Sequence, residues 1–84
     1  MTQPTRQEIL ERILDELKRI CESVPDDLGP HTKLRDELGL NSLDAVDLAL
    51  ELEEAFDIEL PDEELVAFEQ VADVVDAVAK RRDD

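Results

Sequence analysis

The chain has 84 residues, with 24 Asp or Glu against 9 Lys or Arg, and a formal net charge of −15 with His31 neutral. Domains seldom fall below about 50 residues, so residues 1–84 make a single small domain and the large enzyme folds are excluded. An apolar fraction of 42% fills a small core, whereas a chain this charged with few aliphatics would stay disordered.

Partners and compartment follow from the same composition. Phosphate binding draws on clustered Lys and Arg, so neither nucleic acid nor an anionic membrane is expected to bind. Residues 36–79 contain no Lys or Arg and carry 15 acids, a number equal to the net charge of the whole chain, so basic partners are steered to one part of the surface. Residues 1–6 are polar with no apolar segment behind them, and no apolar run approaches the roughly 20 residues of a membrane helix. A cytoplasmic protein is expected. One Cys and one His leave no disulfide and no zinc-type ligand set, and no metal is expected.

The first helix is predicted over about 5–22. Thr5 and Glu8 have the spacing of a capping box. Ile9, Leu10, Ile13, Leu14, Leu17, Ile20, Cys21 and Val24 recur at helical spacing on one face, with Pro25 as the stop. Cys21 lies on that stripe and reads as a small buried hydrophobe rather than a reactive thiol.

Residues 23–41 hold Pro25, Gly29, Pro30 and Gly39 and are too punctuated for a long helix. Leu28, Leu34, Leu38 and Leu40 pin this loop to the core, with one helical turn expected near 33–37. His31, beside Pro30, reads as a solvated loop residue.

A second helix is predicted over 42–56, with Asn41 as N-cap and Asp44 in the first turn. Ala45, Leu48, Ala49, Leu52, Ala55 and Phe56 fall within an arc of about 120° and form its core stripe. Pro61 and the acids Asp62, Glu63 and Glu64 open a short third helix over 62–67, because Pro suits the first turn and acids suit the positive end of the dipole. Val71, Val74, Val75 and Val78 mark a fourth over 70–82, ending in Lys80, Arg81 and Arg82. Interior candidates are Leu48, Leu52, Phe56, Val66, Val74, Val75 and Val78. No repeat and no strand alternation is present.

Ser42 stands where the long loop meets the second helix, with its hydroxyl expected at an exposed helix start. As a hydrolytic nucleophile it lacks an adjacent base and a G-x-S-x-G elbow, so no enzyme and no catalytic residue is expected. As the acceptor of a phosphodiester it makes physical sense, because free amides and the helix dipole favour an anion there.

Leu38-Gly39-Leu40-Asn41-Ser42-Leu43-Asp44, followed by Leu52-Glu53-Glu54-Ala55-Phe56-Asp57-Ile58-Glu59-Leu60-Pro61-Asp62-Glu63-Glu64 and a last helix opened by Val71, resembles the stand-alone acyl carrier protein family over nearly the whole chain. The resemblance implies an all-α four-helix bundle with a long first loop and a short third helix. It implies that Ser42 receives 4′-phosphopantetheine from coenzyme A through a phosphopantetheinyl transferase. The arm's thiol would then carry acyl groups as thioesters to acyl-transferring or condensing enzymes in fatty-acid, polyketide or specialised lipid synthesis. The family's usual Asp before the serine is Asn41 here, a departure that bears on transferase recognition and points towards a specialised pathway.

Leu43, Val46 and Leu50 fall outside the core arc and form a second apolar strip, flanked by Asp47 and Glu54 on one side and Glu53 on the other. With Asp44 they make an expected docking surface for basic patches on partner enzymes, on a monomeric carrier. The competing reading is an unmodified acidic helical adaptor in which Ser42 is only part of a cap.

Overall fold

Thr5 and Glu8 satisfy each other's backbone amides and start α1 (Arg6–Ile20): Glu8 N donates to Thr5 Oγ1 at 3.1 Å and Thr5 N to Glu8 Oε1 at 3.0 Å. The computed structural model describes residues 4–83, so residues 1–3 and 84, counted in the same domain by composition, lie outside the described residues. Ile9, Ile13 and Leu17 are buried, as the stripe requires. The helix ends well ahead of Pro25, because Cys21 is already extended while its N–H still reaches Leu17 O at 2.8 Å. Val24 precedes a proline and resists helical backbone. The end of the predicted 5–22 span is therefore loop, although Cys21 still packs against the core.

The other helices are α2 (Ser42–Phe56), α3 (Asp62–Leu65) and α4 (Val71–Asp83). α1 packs against α4 and α2, and α3 packs on α2, giving an all-α bundle with a long first loop and a short third helix. Leu48, Leu52, Val74, Val75 and Val78 are buried, whereas Phe56 and Val66 are only partly so. Ala45 and Ala49 are buried beside Leu48 and Leu52, but Ala55 is exposed. Ala55 lies at the edge of the helical arc, whereas Phe56, nearer its centre in the same turn, packs against the core.

The long loop is fastened chiefly by its own backbone. Leu34 and Leu40 are buried and Leu38 is half-buried, but Thr32 is also fully buried and accepts from Gly29 N at 2.9 Å. Ala72 N donates to Pro30 O at 2.8 Å, Val71 N to Thr32 O at 3.0 Å and Leu34 N to Glu69 O at 2.8 Å. These bonds include an isolated antiparallel bridge between Lys33 and Gln70. It explains why α4 begins at Val71 and not at 70. The expected turn near 33–37 is present, with Glu37 N on Lys33 O and Gly39 N on Arg35 O. Gly39 then takes the left-handed region at φ 67°, where a glycine costs least, and a Cβ there would meet nothing within 4 Å among the described residues.

Pro61 O accepts from Glu64 N and Leu65 N at the start of α3. Beyond Leu65 the chain tightens, with Ala67 N on Glu64 O and Phe68 N on Leu65 O, so the predicted helical span of 62–67 ends as three-residue turns. Arg81 of α4 holds this corner: Nε donates to Glu59 O at 2.7 Å and Nη2 to Glu64 Oε2 at 2.5 Å.

Leu52 is completely buried in this core. Leu52→Ala is expected to cost about 2–5 kcal/mol, from lost burial and the cavity left behind, measured as a shift in the urea unfolding curve.

Candidate functional site: Ser42 and the outer face of α2

Asn41 caps α2 in extended backbone, accepting from Asp44 N at 2.8 Å while Asp44 Oδ2 accepts from Asn41 N at 3.4 Å. The capping box is thus closed by Asn41 and Asp44 and makes no demand on the Ser42 hydroxyl. Ser42, the first residue of the helix, is exposed. Its own N–H and that of Leu43 precede the first intrahelical acceptor, so they and the dipole face an anion attached at this point.

Beside Ser42 opens a cleft of about 320 Å³ whose floor is apolar, from Leu34, Leu40, Ala45, Leu65, Val66 and Phe68. Arg35 and Asn41 supply its polar edge. An exposed serine, two amides that precede the first intrahelical acceptor and an adjoining cleft with an apolar floor suit an anionic group attached at the hydroxyl.

The outer face of α2 is as the helical arithmetic placed it. Leu43, Val46 and Leu50 are 79%, 36% and 56% exposed, the large hydrophobic side chains most open to solvent among the described residues. Their acidic rim is not uniform. Glu54 is exposed. Glu53 is half-buried and its Oε2 accepts from Leu60 N at 2.9 Å, fastening the chain between α2 and α3. Asp47 lies 3.5 Å from Arg19 Nη2, and Glu51, which helical spacing alone does not single out, lies 3.9 Å from the same nitrogen. Asp44 is engaged in the cap. Leu50 also lines an open groove with Glu51, Glu54 and Asp57, and Asp57 itself caps the end of α2 in the left-handed region.

Two residues considered for chemistry have other roles. Cys21 is half-buried, and burial first, with Asp44 second, pushes its thiol pKa above the ordinary value. A thiol so placed is a poor nucleophile. His31 is exposed, with Nε2 3.9 Å from Asp27 Oδ2. Among the described residues no group of three His, Cys, Asp or Glu could hold a metal ion, and no helix is long and apolar enough to cross a membrane.

The phosphopantetheine attachment site family matches residues 11–78. The chain is 34% identical to an acyl carrier protein of Chlorobium phaeobacteroides over 77 residues, which is 92% of this chain and 99% of the relative. The chain belongs to the acyl carrier protein family. It is also 45% identical over 55 residues to an acyl carrier protein of Syntrophobacter fumaroxidans, covering 66% of this chain and 68% of that one. The fold matches the crystal structure of an acyl carrier protein from Thermotoga maritima with a TM-score of 0.75, at 22% identity, over 93% of this chain and 91% of that one. As a family member the chain is a carrier that tethers acyl intermediates on a 4′-phosphopantetheine arm. Its membership implies work with a phosphopantetheinyl transferase and with acyl-processing enzymes.

The geometry of this carrier sets two expectations. Leu50→Ala is expected to cost less than about 1 kcal/mol of folding stability in a urea melt and to weaken transferase binding instead. Equal destabilisation by Leu50→Ala and Leu52→Ala would make the strip a second core face. Asn41→Asp keeps an N-cap acceptor, so the melt is expected to move by less than about 0.5 kcal/mol. Arm attachment by a non-cognate transferase should proceed at least as fast as in the wild type, and a markedly slower Asp variant would reveal a specific contact from the Asn41 amide.

Proposed function

We propose that Ser42 is the residue that takes the arm, within a single domain of residues 1–84 that has no catalytic activity of its own. The observation that carries this reading is the exposed Ser42 hydroxyl at the first position of α2, beside a cap already closed by Asn41 and Asp44. On the transferase, Ser42 Oγ attacks the phosphorus next to the pantetheine of coenzyme A. The Oγ–P bond forms as the anhydride P–O bond breaks, adenosine 3′,5′-bisphosphate leaves, and the hydroxyl proton passes to a base on the transferase. The Ser42 and Leu43 amides then face the new phosphodiester, and the adjoining cleft receives the apolar part of the arm.

The docking surface in this reading is the strip Leu43, Val46 and Leu50 with Asp44, Asp47, Glu53 and Glu54 around it, and its occupant is a basic patch on the transferase or on an acyl-transferring or condensing enzyme. Charge complementarity supports that choice, since residues 36–79 carry 15 acids and no base. The half-exposed Leu50 supplies the apolar anchor and Glu54 the freest charge. A cytoplasmic monomer serving a polyketide or specialised lipid pathway agrees with the acidic composition and with Asn41 in place of the usual Asp.

The test is intact mass after coexpression with a broad-specificity phosphopantetheinyl transferase. The wild type is expected to gain one phosphopantetheinyl group, and Ser42→Ala none while remaining helical by circular dichroism. Ser23 is the other serine of the chain, so a gain in Ser42→Ala would move the attachment point. An unmodified wild type would favour the acidic adaptor.

A further inference from the structure

Residues 36–79 contain no Lys or Arg, so α2 has no counterion of its own. One reaches it from α1. Arg19 Nη2 lies 3.0 Å from Glu16 Oε2, 3.5 Å from Asp47 Oδ1 and 3.9 Å from Glu51 Oε1, and Arg19 Nε donates to Glu16 Oε2 at 3.1 Å. Glu16 is the well-covered member of this set, with its side chain 11% exposed, and it also pairs with Arg12 at 3.4 Å. The short contacts therefore tie Arg19 to its own helix, while those to α2 are longer and open to solvent. Such contacts are weak and exchange readily with another cation.

We propose that Arg19 is an internal competitor for the cation that a docking partner presents to the Asp47–Glu51 edge of α2. The inference rests on the reading that the outer face of α2 is the docking surface. A partner's Lys or Arg approaching Asp47 meets a carboxylate that already shares Arg19, whereas Glu54 beyond Leu50 is exposed and makes no ion pair among the described residues. Docking then proceeds in one of two ways: the partner leads with its charge on the Glu54 side, or it displaces Arg19 back onto Glu16. Either way Arg19 slows encounter and sets the orientation of approach, and it keeps the complex easily reversed. A carrier that must leave one enzyme for the next benefits from that.

The experiment measures association of the full chain with a broad-specificity phosphopantetheinyl transferase as a function of ionic strength. Arg19→Gln is expected to raise the association rate constant about 3- to 10-fold at low salt and to steepen its salt dependence, in the range that steering charges produce. Arg12→Gln makes the same change in net charge and also releases Glu16, but it does not reach α2 and is expected to change the rate by less than about twofold. Asp47→Asn should slow association more in the Arg19→Gln background than in the wild type, because only there is the carboxylate unmasked. Equal effects of the Arg12 and Arg19 variants, or slower association of Arg19→Gln, would overturn the proposal. Should Arg19→Gln fail to fold, Arg19→Met keeps the apolar stem and removes the charge. Its rate is expected above the wild type, and a rate at or below it overturns the proposal as well. Leu50→Ala separates the two levels: if it binds like the wild type the docking surface is elsewhere, and if it weakens binding while the Arg19 and Arg12 variants match, only the competitor fails.

Discussion

The place and direction of α2 depend on main-chain hydrogen bonds between the long loop and the start of α4. A loop this long, left to side chains alone, would leave buried amides and carbonyls without partners and would let the start of α2 wander. Pro30 O, Thr32 O and Leu34 N instead pair with Ala72 N, Val71 N and Glu69 O, and Thr32 Oγ1 takes up Gly29 N inside the core. From that anchor the Lys33 to Leu38 turn, Gly39 and the Leu40 N bond to Leu34 O carry the chain straight to Asn41. The serine is exposed, yet the segment that presents it is among the better-tethered parts of the molecule.

Among the described residues four arginines pair with carboxylates. Arg6 pairs with Asp76 and so ties the start of α1 to α4; Arg81 ties α4 to Glu59 and Glu64; Arg12 and Arg19 neutralise the covered Glu16. Among the described residues, the excess negative charge of the α2 surface is relieved from outside the helix by one guanidinium, at one edge. The acidic character of the chain is therefore uneven at the scale of a docking contact, with Glu54 open, Asp47 shared, Glu53 holding the Leu60 amide and Asp44 holding the cap. On the proposed docking reading, these differences bear on recognition beyond what the total of −15 sets.

Much of this was legible in the sequence because it is periodic or local. Ile9, Ile13 and Leu17, the Thr5–Glu8 box, the Asn41 cap and the separation of Leu48 and Leu52 from Leu43, Val46 and Leu50 follow from 3.6 residues per turn and from capping chemistry. The serine string carried the family. Errors gathered where a distant segment decides the outcome. Ala55 has the angular position of a core residue and lacks a neighbour to cover it; Gln70 has a helical sequence context and is taken by the bridge to Lys33. The Arg19 contacts join α1 to α2 across the whole long loop, a pairing no spacing rule would find. Thr32 gave no signal at all, since a polar residue in a punctuated loop reads as solvated until the partner of its hydroxyl is known.

Gly39 shows how a site can be demanding in one respect and permissive in another. Its backbone lies in the left-handed region, and the space where a side chain would begin is open. The constraint there is torsional alone, with no steric component from the rest of the fold. Substitution at Gly39 is thus graded by a residue's tolerance of positive φ rather than by its bulk: Asn or Asp adapts, Ala is strained though tiny, and Val or Ile is worst because branching at Cβ stiffens the chain. Three positions before the serine, the fold fixes the handedness of the backbone and leaves the volume above it uncommitted.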